Sequence, residues 1–114
     1  MKLLRSFKYA FNGLWIAIKE EQNFRIHLFA VVVVSTAGVC LHLSPIEWAL
    51  MVLTMALVIA AELFNTAIED IVNFISPRYN AKAGRIKDIS AAAVMVTSVA
   101  AVIVAIYIFG NKIL

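Results

Sequence analysis

The sequence predicts an all-α integral membrane protein: three transmembrane helices behind an N-terminal amphipathic helix, in a single domain spanning residues 1–114. Three observations predict it. Hydrophobic residues make up 63% of the chain, against about 45–50% in a soluble domain, and the mean hydropathy is +0.92. The apolar residues gather into three long runs, each bounded by charged or turn-forming residues. The second run, from Trp48 to Ala61, passes without a Gly or Pro break into Glu62-Leu63-Phe64-Asn65-Thr66-Ala67-Ile68-Glu69-Asp70-Ile71-Val72-Asn73. A helix that starts in an apolar run therefore ends in a stripe of acids and amides. No second composition block, linker, low-complexity tract or repeat divides the chain.

Residues 1–19 carry Leu3, Leu4, Phe7, Phe11, Leu14, Trp15 and Ile18 on one helical face, with Lys2, Arg5, Lys8, Asn12 and Lys19 mostly off it. Such a basic amphipathic helix suits the plane of the membrane interface; packing on the protein's own spans is compatible with that. A polar break over residues 20–25 separates it from the first span, placed at about 24–43, whose apolar run from Ile26 to Leu41 is slightly short for a hydrocarbon core of about 30 Å. His42-Leu43-Ser44-Pro45 reads as a tight turn, with Ser44 as an N-cap and Pro45 at the first helical position. The second span covers about 46–75. At 1.5 Å per residue it is about 45 Å long, so its polar end should project beyond the hydrocarbon. Ser76-Pro77 ends it, residues 78–84 read as a basic loop, and the third span covers about 85–109, closed by Gly110-Asn111.

Basic residues set the orientation. Lys2, Arg5, Lys8, Lys19 and Arg25 precede the first span, and Arg78, Lys82, Arg85 and Lys87 lie between the second and third. The 42–45 turn has none, and only Lys112 lies near the C-terminus. The positive-inside rule then puts the N-terminus and the 76–87 loop in the cytoplasm and the C-terminus outside. Glu20, Glu21, Glu69, Asp70, Lys87 and Asp88 collect at the cytoplasmic interface, with Glu62 a turn or two deeper. A net charge of +3, carried by residues that flank the spans, forms no independent patch for nucleic acid. The lone Cys40 has no disulfide or metal partner by spacing and reads as a small apolar residue. The first strong apolar run begins too late, and without a cleavage site, for a secretory signal.

At 100° per residue, Glu62, Asn65, Thr66, Glu69 and Asn73 fall within about a third of the helix circumference, with Leu63, Phe64, Ala67, Ile68, Ile71 and Val72 read as the opposite face. Amides suffice to hold membrane helices together, at about 0.6 kcal/mol per contact. A carboxylate costs about 2.5–3.5 kcal/mol at the middle of a span and so points to use. Paired carboxylates beside lysines, facing a compartment that holds Mg-nucleotide, suit phosphoryl transfer. That reaction needs a divalent ion bridging phosphates, cations for developing charge, and a carboxylate to take the acceptor's proton. No Walker-type or G-x-G-x-x-G loop is present.

The pattern E-x-x-N-T-A-I-E (Glu62, Asn65-Thr66-Ala67-Ile68-Glu69), followed by Gly84-Arg85-Ile86-Lys87-Asp88 and an Ala-rich span, resembles the prokaryotic diacylglycerol kinase family, which includes the undecaprenol kinases. The run Glu21-Gln22-Asn23-Phe24-Arg25-Ile26-His27 looks like the undecaprenol kinase branch. The resemblance covers about residues 6 to 108. It implies a homotrimer in the bacterial cytoplasmic membrane with composite active sites on the cytoplasmic face, transferring the γ-phosphate of ATP to a lipid hydroxyl with Mg²⁺. By matching position, it implies Glu62 as the catalytic base, Glu21 and Glu69 as metal ligands, and Asn65, Lys87 and Asp88 along the phosphates and ribose. Tyr9 would pack near the adenine. Asn73 stands where many members carry Asp, and the N-terminal basic residues do not align with a nucleotide-contacting arginine. Two other classes compete. A non-catalytic membrane protein would use its acids only for helix packing or a partner. A small transporter would need ionisable residues through the bilayer midplane, whereas here they crowd one face.

Overall fold

The computed structural model describes residues 1–114 and contains four helices and no strand: α1 (Lys2–Glu20), α2 (Gln22–Cys40), α3 (Pro45–Ile75) and α4 (Ala81–Ile113). The last three are long and apolar enough to cross a membrane, so the expected all-helical, three-span architecture is the one found. α3 and α4 form a long antiparallel hairpin, α2 packs on α3, and α1 meets α2 at the corner between them. With 31 and 33 residues, α3 and α4 are about 46 and 50 Å long at 1.5 Å per residue, well beyond the hydrocarbon thickness.

Local chemistry sets most helix ends. Ser44 caps α3 as expected: its hydroxyl accepts from Glu47 N at 3.2 Å, and Glu47 Oε1 accepts from Ser44 N at 2.8 Å. This capping box, with Pro45 in the first turn, satisfies donors that the helix itself leaves open. The preceding turn passes through His42 at φ 56°, the left-handed region. α2 begins at Gln22 and stops at Cys40, short of the expected residue 43, and both ends of α4 also differ from the sequence reading. α4 starts at Ala81, inside the stretch read as a basic loop, because Asn80 Oδ1 accepts from Lys82 N at 2.8 Å and caps the helix there. It also runs through Gly110 and Asn111 to Ile113. A glycine costs a helix only about 1 kcal/mol, and Lys112 Nζ pins this last turn to Glu47 Oε1 at 3.1 Å and to the His42 carbonyl at 3.2 Å.

The break between α1 and α2 is narrower than the polar stretch 20–25 suggested. Glu21 alone is extended, at φ −112° and ψ 110°. Arg25 braces the corner, its Nη1 donating to the carbonyls of Ile18 at 2.7 Å and Lys19 at 3.0 Å. Those are carbonyls that the end of α1 would otherwise leave open.

Only 11 of 114 residues are buried. The apolar core, Leu43, Met51 and Ile108 with Trp48, Val104 and Phe109 against it, sits near the α2–α3 turn. Gly38 makes room there: a Cβ would lie 2.7 Å from the Trp48 ring, so the indole would have to shift. Phe64, Ile71, Val102 and Ile106 stay exposed, as suits helices apolar enough to cross a membrane.

Candidate active site

The buried residues of α3 are Met51, Val58, Glu62, Asn65 and Val72. At 100° per residue they fall within about 80° of arc. One face of one helix is thus apolar along its first half and turns polar at Glu62. Glu62 is 2% exposed and Asn65 8%, whereas Phe64 between them is 70% exposed. The helix buries Glu62 and Asn65, with Thr66 and Glu69 half-buried and Asn73 exposed, while Phe64 and Ile71 face outward; Val72, expected on the opposite face, is buried on this one.

Within the stripe, Asn65 Nδ2 donates to Glu69 Oε1 at 3.1 Å, one turn along. Asn65 Oδ1 and Thr66 Oγ1 are buried with no hydrogen-bond partner. Buried polar atoms without partners are uncommon and mark places where a ligand atom or water belongs. Glu62 Oε2 lies 3.5 Å from His27 Nε2 of α2.

The corner at Glu21 brings a further carboxylate to this stripe. Burial raises the Glu21 carboxyl above its ordinary value of 4.5, and the nearby charges of Glu69, Asp70, Glu62 and Glu20 push it the same way. Four acids on the helices are thus near enough to Glu21 to act on its charge. No group of three or more His, Cys, Asp or Glu side chains is close enough to hold a metal entirely by protein ligands. Two carboxylates with open positions are what a Mg²⁺ that is shared with phosphate oxygens requires.

Lys87 and Asp88 are not part of that cluster. They line a separate polar cavity of about 240 Å³ at the α3–α4 turn, with Asn73, Arg78, Tyr79 and Asn80. Lys87 Nζ donates to Asn73 Oδ1, so this asparagine holds a lysine in place. Tyr9 is 68% exposed on α1 and borders neither that cavity nor the cleft described next. That cleft, of about 540 Å³, lies between α1 and α3 and is mostly apolar, with Thr66 and Asp70 at its polar side.

Acids and amides gather at the same end of the α3–α4 hairpin as a cavity lined by a lysine. The profile of the family described as prokaryotic diacylglycerol kinase matches residues 8–109. The chain belongs to this family. A diacylglycerol kinase of Synechocystis sp. is 45% identical over 103 residues, covering 90% of this chain and 59% of that protein. This chain therefore spans well under two thirds of that relative's length. An undecaprenol kinase of Bacillus subtilis is 35% identical over 111 residues, 97% of this chain and 90% of that protein. A diacylglycerol kinase of Escherichia coli K12 is 31% identical over 102 residues, 90% of this chain and 84% of that protein.

Sequence reasoning placed His27 only at the mouth of the first span and left Asn73 without a role. The first contacts Glu62 and the second accepts from Lys87. A polar residue in the first turn of an apolar run was the available signal for His27. Nothing in spacing along one helix could name its partner on another.

Proposed function

We propose that this protein is an integral membrane lipid kinase that transfers the γ-phosphate of Mg-ATP to the hydroxyl of a membrane lipid. Undecaprenol is the favoured acceptor and diacylglycerol the second candidate. One observation carries the reading: a buried carboxylate, Glu62, stands beside the Glu21 and Glu69 carboxylates at the polar end of a membrane helix, in a member of a family of lipid kinases. The preference for undecaprenol rests on the Glu21–His27 run and on the extent of the match to the Bacillus relative.

In this reading Glu62 takes the proton of the lipid hydroxyl as that oxygen attacks the γ-phosphorus. Its depth suits a group that must meet a lipid rather than a soluble acceptor, and an apolar cleft between α1 and α3, lined by Leu63 and Thr66, lies along the same helix. Glu21 and Glu69 would hold Mg²⁺. Their fit is supported by the burial and the neighbouring negative charge that raise Glu21, and by the orphaned Asn65 Oδ1 on the same stripe. The ion supplies charge neutralisation on the phosphate oxygens. Asn65, Lys87 and Asp88 line the phosphates and ribose, and Tyr9 packs near the adenine. Lys87, held by Asn73, presents an ammonium to developing negative charge. The N-terminus and the 76–80 turn face the cytoplasm, where ATP is, and α1 lies along the membrane interface. Three copies associate, which the large exposed apolar surface of one chain supports.

Phosphate transfer from Mg-ATP, measured in mixed micelles with undecaprenol and diacylglycerol in parallel, tests this. Product from one lipid, dependent on Mg²⁺ and absent with Glu62→Gln, is the expected result. A folded protein that phosphorylates neither would leave the acids as helix-packing or partner-binding groups.

A further inference from the structure

The Glu62 side chain is only 3% exposed, and the group that meets it is the imidazole of His27, itself 24% exposed. We propose that His27 is a positioning residue for Glu62: its Nε2 holds Oε2 of the carboxylate, so that Oε1 receives the lipid proton. The inference rests on the reading of Glu62 as base.

A carboxylate has two equivalent oxygens and a broad terminal torsion. Anchoring one oxygen fixes the direction of the other. The 3.5 Å separation is longer than a good N–H···O bond, and such contacts commonly tighten only when the reacting partner is bound. The imidazole is itself held on a firm element. α2 begins at the Glu21 corner, where Arg25 is tied to the α1 carbonyls two residues before His27. On its other side His27 borders an apolar cavity of about 220 Å³ among α2, α3 and α4, whose one other polar lining residue is Ser98. No competing ion on α4 draws the imidazole away from Glu62. In the step itself the lipid O–H bond breaks and its proton goes to Glu62 Oε1. The lipid oxygen forms the new bond to the γ-phosphorus, and the bond from that phosphorus to ADP breaks, its electron pair leaving with ADP. His27 gains and loses nothing; it fixes the direction in which the proton is received.

The test compares wild type, His27→Leu and His27→Gln in mixed micelles with Mg-ATP and undecaprenol or diacylglycerol. His27→Leu should lower kcat tenfold or more with KM for ATP within twofold. His27→Gln keeps an N–H donor and should return kcat to within threefold of wild type. A His27→Leu enzyme within twofold of wild type, or Leu and Gln variants equally impaired, overturns the inference while leaving the kinase reading standing. A folded wild type that phosphorylates neither lipid overturns both. Should His27→Leu fail to fold, adding Glu62→Gln should restore folding, because no buried carboxylate is then left without its partner. A double variant that stays unfolded means that His27 serves packing and overturns the proposal.

Discussion

Replacing Glu62 by Gln removes the proton acceptor and almost nothing else. The two side chains have nearly the same volume, so neither cavity nor overpacking follows. A positioned general base contributes about 10²- to 10⁴-fold, which is about 2.7–5.4 kcal/mol at 1.36 kcal/mol per decade. Here the upper half of that range is expected, because Glu62 is 2% exposed and bulk water has poor access to replace it. kcat should therefore fall about 10³- to 10⁴-fold. KM for ATP should stay within about threefold, since Lys87 and Asp88 line a different cavity. Stability should not drop: a carboxylate in a membrane helix costs about 2.5–3.5 kcal/mol at mid-span, and the amide removes that charge. The assay is initial-rate phosphate transfer at saturating ATP and lipid, paired with thermal unfolding of the same micellar preparation. A Glu62→Gln enzyme within tenfold of wild type refutes the base assignment. A variant that loses activity only in proportion to lost folding shows that Glu62 acts as a packing group.

Three more tests bear on the rest of the site and fold. The folded Glu21 carboxyl sits above its ordinary 4.5, so the folded state holds its proton more tightly than the unfolded chain. The stability it contributes is present below that ordinary value and lost as pH rises through the folded one. The thermal midpoint without Mg²⁺ should fall across that window, Glu21→Gln should flatten the fall, and added Mg²⁺ should stabilise most at the upper end. A midpoint that rises across the window in wild type would contradict this. Lys87→Met removes a charged donor to phosphate worth about 1.5–3 kcal/mol, so KM for ATP should rise about 10- to 150-fold while the lipid KM stays put; an unchanged ATP KM removes Lys87 from the nucleotide site. Gly38→Ala puts a Cβ 2.7 Å from the Trp48 ring, and overpacking of this kind costs about 1–3 kcal/mol. A lower thermal midpoint with altered Trp fluorescence is expected, and an unchanged midpoint would show that the indole moves freely.

The three spans, the Ser44-Pro45 start of α3 and the polar stripe from Glu62 to Glu69 were legible in the sequence. A bilayer admits few backbone solutions, about 20 apolar residues in a helix being the commonest. Caps and stripes are also local, set within one or two turns. The α4 start was missed because Asn80, a capping residue, lay within a run read for its charge. What only the tertiary structure decided is which polar groups meet. Glu21 reaches the stripe because a single extended residue turns the chain at that corner. Glu62 meets His27 from another helix, Lys87 meets Asn73 across the hairpin, and Lys112 reaches back to Glu47 and His42. Helical periodicity says which face a residue occupies. It does not say which face of which neighbour is packed against it, because that depends on how whole helices cross.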